Sequence, residues 1–242
     1  MPESELFVTK LFNDHLASLG NAALGLVGRA PLERPWADFI VMQILVAVLL
    51  MLTFALLRPR LSVTRPGKFQ QIFELLYEFV RDQAEDQVGH SAHRYLAFFG
   101  VIFIFILTCN LIGLVPCFES PTMNASVTAG CALATFCYYH LVGIQANKHR
   151  YAMHFVGPML ALAPLMIPIE IVSHLARLLS LTVRLYANMF AGEQVTLVFL
   201  ALTKIGPPVI FMGLHVFVGV VQAYIFMLLT MVYVGGAVAH EH

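Results

Sequence analysis

The sequence predicts an all-α, multi-pass membrane protein with five transmembrane helices and one amphipathic surface helix. The chain of 242 residues is 59% hydrophobic and 12% charged, and its mean hydropathy is +0.79. Soluble domains are only about 45–50% apolar and about 25% charged. Several apolar runs also reach the length of about 20 residues that a membrane-spanning helix needs. The formal net charge of zero gives no basic surface for binding nucleic acid.

The predicted helices follow from the apolar runs and from their spacing. An N-terminal arm, 1–35, has no apolar run long enough to span a membrane, so the membrane domain is predicted over 36–242. Residues 67–90 carry apolar and charged side chains at helical spacing, which predicts an amphipathic helix on the membrane surface. The predicted transmembrane spans cover residues 36–57, 95–115, 127–144, 165–203 and 209–234.

The fourth predicted span is too long for an upright helix. As one helix it would be roughly 57 Å long, about twice the hydrocarbon thickness of about 30 Å. It is either one strongly tilted helix or two spans with a turn, for which Ala191-Gly192 is the weak point. No cluster of turn residues divides it, so a single tilted helix is favoured. The prolines within 151–168 predict that no regular helix runs cleanly through that segment.

Lysine and arginine predict the orientation, because cytoplasmic connectors are enriched in positive charge. The connectors after the first and third spans carry Arg58, Arg60, Arg65, Lys68, Arg81, Arg94, Lys148 and Arg150. The opposite side carries Lys10, Arg29, Arg34 and Lys204. This bias predicts an extracytoplasmic N-terminus and a cytoplasmic C-terminus.

The fourth span carries a stripe of polar side chains. At about 100° per residue, five residues fall within about 40° of Arg184: Glu170, Ser173, Arg177, Ser180 and Asn188. Glu193 lies on the opposite face, about 180° round. An arginine at the centre of a membrane helix costs about 2.5–3.5 kcal/mol on insertion scales. Such a group faces protein or water and marks an ion path.

Neighbouring segments add further polar groups. The last span holds His215 and Gln222, two helical turns apart, and the second span holds Asn110. His140, His149 and His154 lie near a basic connector and are predicted to be interfacial.

Structural or solvated roles, unrelated to ion transport, remain as alternatives for several of these groups. Arg177 could snorkel to the interface, and Asn110 could bond a neighbouring helix. Glu170 and His174 could be solvated at the membrane surface. A metal site at Glu170 and His174 is disfavoured, because di-metal bundles repeat a Glu-x-x-His motif on two helices.

Two segments resemble the a subunit of F-type ATP synthases. One is SLTVRLYANMFAGE, from Ser180 to Glu193, and the other is QAYIFMLLTMVY, from Gln222 to Tyr233. The connector that begins at Asn110 is also similar, and the resemblance covers most of residues 36–242.

The chain departs from that family's commonest pattern at three positions. Gly113 stands where some members carry an acidic residue, which makes the outer ion route less acidic. Tyr186 and Ala187 replace Phe and Gly, and both changes are conservative.

The resemblance implies a non-catalytic stator that lies against a rotating ring of c subunits, each with a membrane-embedded carboxylate. Arg184 would face the ring, attract each ionised carboxylate and separate two aqueous half-channels. Gln222 would help to orient Arg184, and Ser180 would belong to the same proton-translocating set. The outer half-channel would be lined by Glu193, His215, Asn110 and Asn188. The cytoplasmic half-channel would be lined by Glu170, Ser173 and His174.

The resemblance also implies the partners and the location. These are the c-subunit ring, the b-subunit peripheral stalk and the rest of the ATP synthase complex, in a bacterial inner membrane. No cofactor, metal or bound nucleotide is expected, since the chain has no phosphate-binding loop. Protons are the default coupling ion over sodium.

Two other classes of protein remain as alternatives. A self-contained secondary transporter would need its own substrate site and often an internal repeat, and the sequence shows no repeat. A structural scaffold is disfavoured by the cost of burying Arg184 and Glu193.

Overall fold

A computed structural model confirms the all-α fold class, because every regular element among the described residues is a helix. The structure describes residues 6–26, 28, 30–62, 67–115, 118–147, 163–203 and 206–238. The α-helices in this part of the chain are α1 (Phe7–Leu26), α2 (Asp38–Leu57), α3 (Lys68–Val88), α4 (Leu96–Ile112), α5 (Ala125–Asn147), α6 (Ala163–Leu202) and α7 (Pro207–Val238). Short 3₁₀ helices occupy Arg58–Arg60, Gly89–Arg94 and Pro121–Met123.

Helices α2, α5, α6 and α7 are long and apolar enough to cross a membrane. Helix α4 is equally apolar but has 17 residues. It is therefore roughly 26 Å long, at the lower end of the range for a span. Large apolar side chains such as Leu56 and Leu179 are 65% and 64% exposed, as expected for groups that face lipid. The chain is a multi-pass membrane protein.

The structure of α6 shows whether the fourth predicted span is one long helix or two spans with a turn. It runs for 40 residues without interruption through Ala191 and Gly192, so the alternative with a tight turn is wrong. At roughly 60 Å, it must tilt to remain within the bilayer.

The start of α6 differs from the prediction. The helix begins at Ala163, two residues before the predicted start at residue 165, and continues through Pro168, although the prolines within 151–168 predicted that no regular helix runs cleanly there. Pro168 lies in the second turn, so its missing N–H removes one hydrogen bond close to the helix end. The preceding residues 148–162, with His149 and His154, lie outside the described residues.

Helix α7 is the centre of the bundle and contacts α3, α4, α5 and α6. From His215 onward, its buried residues lie along one face: His215, Gly219, Gln222, Ala223, Phe226, Met227, Thr230, Met231 and Val234. Helix α6 buries Leu181, Leu185 and Met189, which are spaced four residues apart and so share one face. These three residues therefore define which face of α6 packs into the bundle in the region of Arg184.

The N-terminal arm contains a helix that the sequence analysis missed. Helix α1 docks on the segment before α2, where the Asn13 side chain bonds the N–H and C=O of Trp36 at 3.0 and 3.1 Å. The Trp36 indole N–H donates to the carbonyl oxygen of Leu16 at 2.9 Å. Trp36 therefore holds α1 against the segment before α2. The available signal was the apolar repeat between Phe7 and Leu19.

Helix α3 has the amphipathic pattern that the sequence predicts. It packs on α7, where the Tyr224 hydroxyl donates to Gln83 Oε1 at 2.9 Å. Its other face exposes Phe69, Ile72 and Leu75, which makes contact with lipid favourable. Its position on the membrane surface stays a prediction, as does the orientation of the chain. Five basic residues used to predict that orientation lie outside the described ranges: Arg29, Arg65, Lys148, Arg150 and Lys204.

Candidate functional site

Arg184 lies near the middle of α6, at the edge between its buried and exposed faces. Its Nη2 atom donates to Ser180 Oγ at 3.4 Å, beyond the usual N–H···O range of about 2.7–3.2 Å. Among the described residues, no carboxylate forms an ion pair with Arg184. A guanidinium stays charged at any physiological pH, so this cation has no charge partner in the described part of its own chain.

Four small side chains are exposed on α6 around Arg184, namely Ala176, Ser180, Ala187 and Ala191. The larger apolar residues Leu179, Val183 and Phe190 are exposed on the same stretch of the helix. Small side chains at helical spacing allow the backbone of another membrane helix to approach closely.

A first polar cluster lies where the C-terminal half of α6 meets the start of α7. We call Gly192, Glu193 and His215 the Glu193 cluster. His215 is 5% exposed, and its Nε2 atom has no hydrogen-bond partner among the described residues. The Glu193 carboxylate is close enough to act electrostatically on the imidazole. A Cβ atom at Gly192 would lie 2.5 Å from His215 Nδ1, so glycine is what lets the two helices meet here.

Asn110 belongs to a buried hydrogen-bond network beside this cluster. Its Nδ2 donates to the carbonyl oxygen of Gly219 at 2.8 Å, and its Oδ1 accepts from Thr122 Oγ1 at 2.7 Å. The hydroxyl oxygens of Ser120 and Thr122 are 2.8 Å apart. Asn110 therefore bonds a neighbouring helix, which was one of the two roles that the sequence left open for it. Its part in lining an ion path stays a prediction.

The close packing around Gly113 gives a physical reason for glycine at that position. A Cβ atom there would lie 3.0 Å from both the backbone nitrogen and the Cβ of Ser120. A side chain at position 113 would require Ser120 to shift by a few tenths of an ångström.

A second polar cluster lies toward the other end of α6. We call it the His174 cluster, and its members are Tyr139, His140, Glu170, His174, Arg177 and Tyr233. His174 Nε2 is 3.2 Å from Glu170 Oε1, and His174 Nδ1 is 2.7 Å from the Tyr139 hydroxyl oxygen. Both imidazole nitrogens therefore have a protein partner.

The rest of the His174 cluster joins α5, α6 and α7. The His140 ring lies 4.8 Å from the His174 ring, measured between centroids. The interfacial position of His140 stays a prediction. The Arg177 guanidinium lies 5.5 Å from the centre of the Tyr233 ring, in range of a cation–π interaction. Arg177 thus packs against α7, a contact that the snorkelling interpretation does not include.

The structure separates the predicted site residues into two groups along α6. Glu170 lies roughly 21 Å before Arg184, and Glu193 lies roughly 13 Å after it, at about 1.5 Å per residue. Gln222 is buried on the same face of α7 as His215, and Asn188 is half-buried one turn after Arg184. Arg184 therefore lies between two carboxylate–imidazole pairs. Glu170 and His174 lie toward the N-terminal end of α6, and Glu193 and His215 lie toward its C-terminal end.

Known proteins resemble this chain over nearly all of its length. The family model described as the ATP synthase A chain matches residues 40–235. The chain is 66% identical over 233 residues to ATP synthase subunit a of Solibacter usitatus (strain Ellin6076), which covers 96% of this chain and 100% of that protein. It is 44% identical over 241 residues to ATP synthase subunit a of Koribacter versatilis (strain Ellin345), with 98% of each chain covered. The chain belongs to the ATP synthase subunit a family.

Proposed function

We propose that this chain is the non-catalytic stator of a rotary proton channel, which couples proton flow across the membrane to rotation of a c-subunit ring and so to ATP synthesis. The observation that carries the proposal is Arg184. It is a permanent cation midway along an apolar helix, and its one hydrogen bond among the described residues is a 3.4 Å contact with Ser180. The missing anion is supplied by the carboxylate of a ring subunit.

The arginine would act on each ring carboxylate as it passes. Opposite unit charges 4 Å apart attract by about 4 kcal/mol at an effective dielectric constant of about 20. This attraction favours the ionised carboxylate, so a protonated ring site releases its proton before it pairs with Arg184. The small residues Ala176, Ser180, Ala187 and Ala191 support close approach of ring helices to this face.

The two polar clusters would form the inner ends of two half-channels. Glu193 and His215, with Asn110 and Asn188, are assigned to the extracytoplasmic half-channel. Glu170 and His174, with Ser173 and Ser180 on the same helix, are assigned to the cytoplasmic half-channel, and Gln222 is assigned to orienting Arg184. A proton cannot pass directly between the clusters, because the fixed positive charge of Arg184 repels it.

Transfer between the half-channels then requires the ring to rotate. Each proton that crosses 100 mV contributes about 2.3 kcal/mol, so several protons are needed for each ATP. The remaining proposed partners are the b-subunit peripheral stalk and the other subunits of the synthase. The proposed location is a bacterial inner membrane, with the N-terminus outside the cytoplasm.

Reconstitution tests this proposal against a self-contained transporter. Liposomes that contain only this chain should show no proton flux above that of empty liposomes under an imposed membrane potential. Liposomes with the whole synthase should pump protons on addition of ATP, and a carbodiimide that modifies the ring carboxylates should stop pumping. A proton flux through the chain alone, insensitive to the carbodiimide, would overturn the stator proposal in favour of a transporter.

A further inference from the structure

The His174 imidazole is held from two helices at once. Glu170, one turn earlier on α6, lies 3.2 Å from its Nε2, and the Tyr139 hydroxyl on α5 lies 2.7 Å from its Nδ1. An ionised carboxylate is only an acceptor, so Nε2 carries the hydrogen of the first bond. In a neutral imidazole the other nitrogen is then an acceptor, so Tyr139 donates its O–H to Nδ1.

Tyr139 is itself fixed in place. It is 2% exposed, and its ring packs against Phe136, His140 and Tyr233 at centroid distances of 5.4, 4.3 and 5.9 Å. The hydroxyl of this buried ring is directed at His174 Nδ1.

We propose that Tyr139 is a positioning residue of the cytoplasmic half-channel, which keeps Nδ1 of His174 as the proton-accepting atom and Nε2–H directed at Glu170. The proposal rests on the function proposed above, which assigns Glu170 and His174 to that path. When His174 takes up a proton at Nδ1, the Tyr139 hydroxyl turns from donor to acceptor. Release of that proton restores the first arrangement.

Other charged and titratable groups around His174 set its surroundings. Helix α6 contributes the carboxylate of Glu170 and the guanidinium of Arg177, α5 contributes the second imidazole of His140, and α7 contributes the phenol of Tyr233. Tyr139 and Glu170 make the two short bonds to the His174 nitrogens. Removing the Tyr139 hydroxyl therefore changes the bonding of His174 and leaves these charges in place.

The test is Tyr139→Phe in the whole synthase, in membrane vesicles whose cytoplasmic face is outward. ATP-driven proton pumping is measured against the pH of the outer medium, with the amount of assembled complex determined separately. Loss of one hydrogen bond should slow pumping about two- to tenfold. It should also move the His174-dependent limb of the pH profile to lower pH by roughly 0.5 to 1 unit, because the charge-assisted bond that the hydroxyl accepts from the protonated ring is stronger than the one it donates to the neutral ring. The variant His174→Gln should abolish that limb, which identifies it as the part of the pH profile that depends on His174.

Tyr138→Phe is the matched control. Tyr138 is the preceding residue on α5 and stacks on Phe98 with ring centroids 3.7 Å apart, so loss of its hydroxyl should leave the rate and the profile unchanged. If Tyr139→Phe does not assemble, 3-fluorotyrosine at position 139 replaces it. The fluorinated phenol is a stronger donor of the same shape, so the limb should then move to lower pH.

Two results would overturn the role of Tyr139. One is a variant with the rate and profile of the parent, and the other is slower pumping with an unmoved profile, which would indicate packing alone. Arg184→Ala in the same vesicles separates this inference from the proposed function. If Arg184→Ala pumps normally, the stator proposal fails. If it is inactive while Tyr139→Phe matches the parent, only the role of Tyr139 fails.

Discussion

Replacing Arg184 by Ala is expected to reduce ATP-driven proton pumping by on the order of 100-fold or more, in a complex that still assembles. In the proposed function, the variant removes the cation that attracts each ring carboxylate, and with it the charge that keeps the two half-channels apart. Vesicles that contain the variant should therefore also show an added passive proton leak. Pumping is followed as ATP-driven acidification, and the leak as the decay of an imposed pH gradient without ATP.

Two arginine variants control this result. Arg184→Lys keeps the charge but loses the planar fork of donors, so it should pump less than the parent and leak less than Arg184→Ala. Arg81→Ala removes the same group from α3, outside both polar clusters, where Arg81 Nη2 lies 2.9 Å from Asp82 Oδ1, and it should keep most of the pumping. Normal pumping by Arg184→Ala would remove the basis for a rotary role of that residue.

Replacing Gly192 by Val is expected to lower pumping by on the order of 10- to 100-fold through a displaced His215. Any Cβ at position 192 would lie 2.5 Å from His215 Nδ1, and the buried imidazole cannot swing into solvent. A displacement of about 1 Å in a reacting group can cost about 100-fold in rate. Overpacking of this kind also costs about 1–3 kcal/mol in stability, so thermal unfolding of the purified complex should begin at a lower temperature.

Gly213→Ala is the control, because a Cβ at that position of α7 has no neighbour within 4 Å. It should pump and unfold like the parent. A double variant gives a sharper check: once His215→Ala has removed the ring, Gly192→Val should have little further effect, so the two losses are not additive. Full pumping by Gly192→Val would mean that the contact between position 192 and His215 does not matter for the proton path.

Periodicity and length made much of the fold predictable. The long apolar segment after Pro168 predicted one continuous helix, and spacing alone put Arg184 on one face of it and Glu193 on the opposite face. These features depend on neighbours a few residues apart, which a single sequence displays directly. Helix α1 carried the same kind of signal, but its mixed polar composition and short apolar segments concealed it.

Contacts between distant parts of the chain could not be predicted in this way. The bond from Asn110 to the Gly219 carbonyl joins residues 109 positions apart, and the bond between Tyr139 and His174 joins residues 35 positions apart. Both depend on how the helices pack, which local patterns do not encode. For the same reason Gly192 was a possible weak point in the sequence, while in the structure it is a contact surface for His215.

The central proposal is that Arg184 separates two water-filled paths that open on opposite sides of the membrane. The direct measurement starts from a functional variant in which the four cysteines have been replaced, and adds one cysteine as Glu193→Cys or as Ser173→Cys. A membrane-impermeant thiol reagent is then applied to each side of oriented vesicles that contain the whole complex. The prediction is that Cys at position 193 reacts only from the extracytoplasmic side and Cys at position 173 only from the cytoplasmic side. Reaction of both positions from one side, or of either position from both sides while Arg184 is intact, would contradict the two-path arrangement.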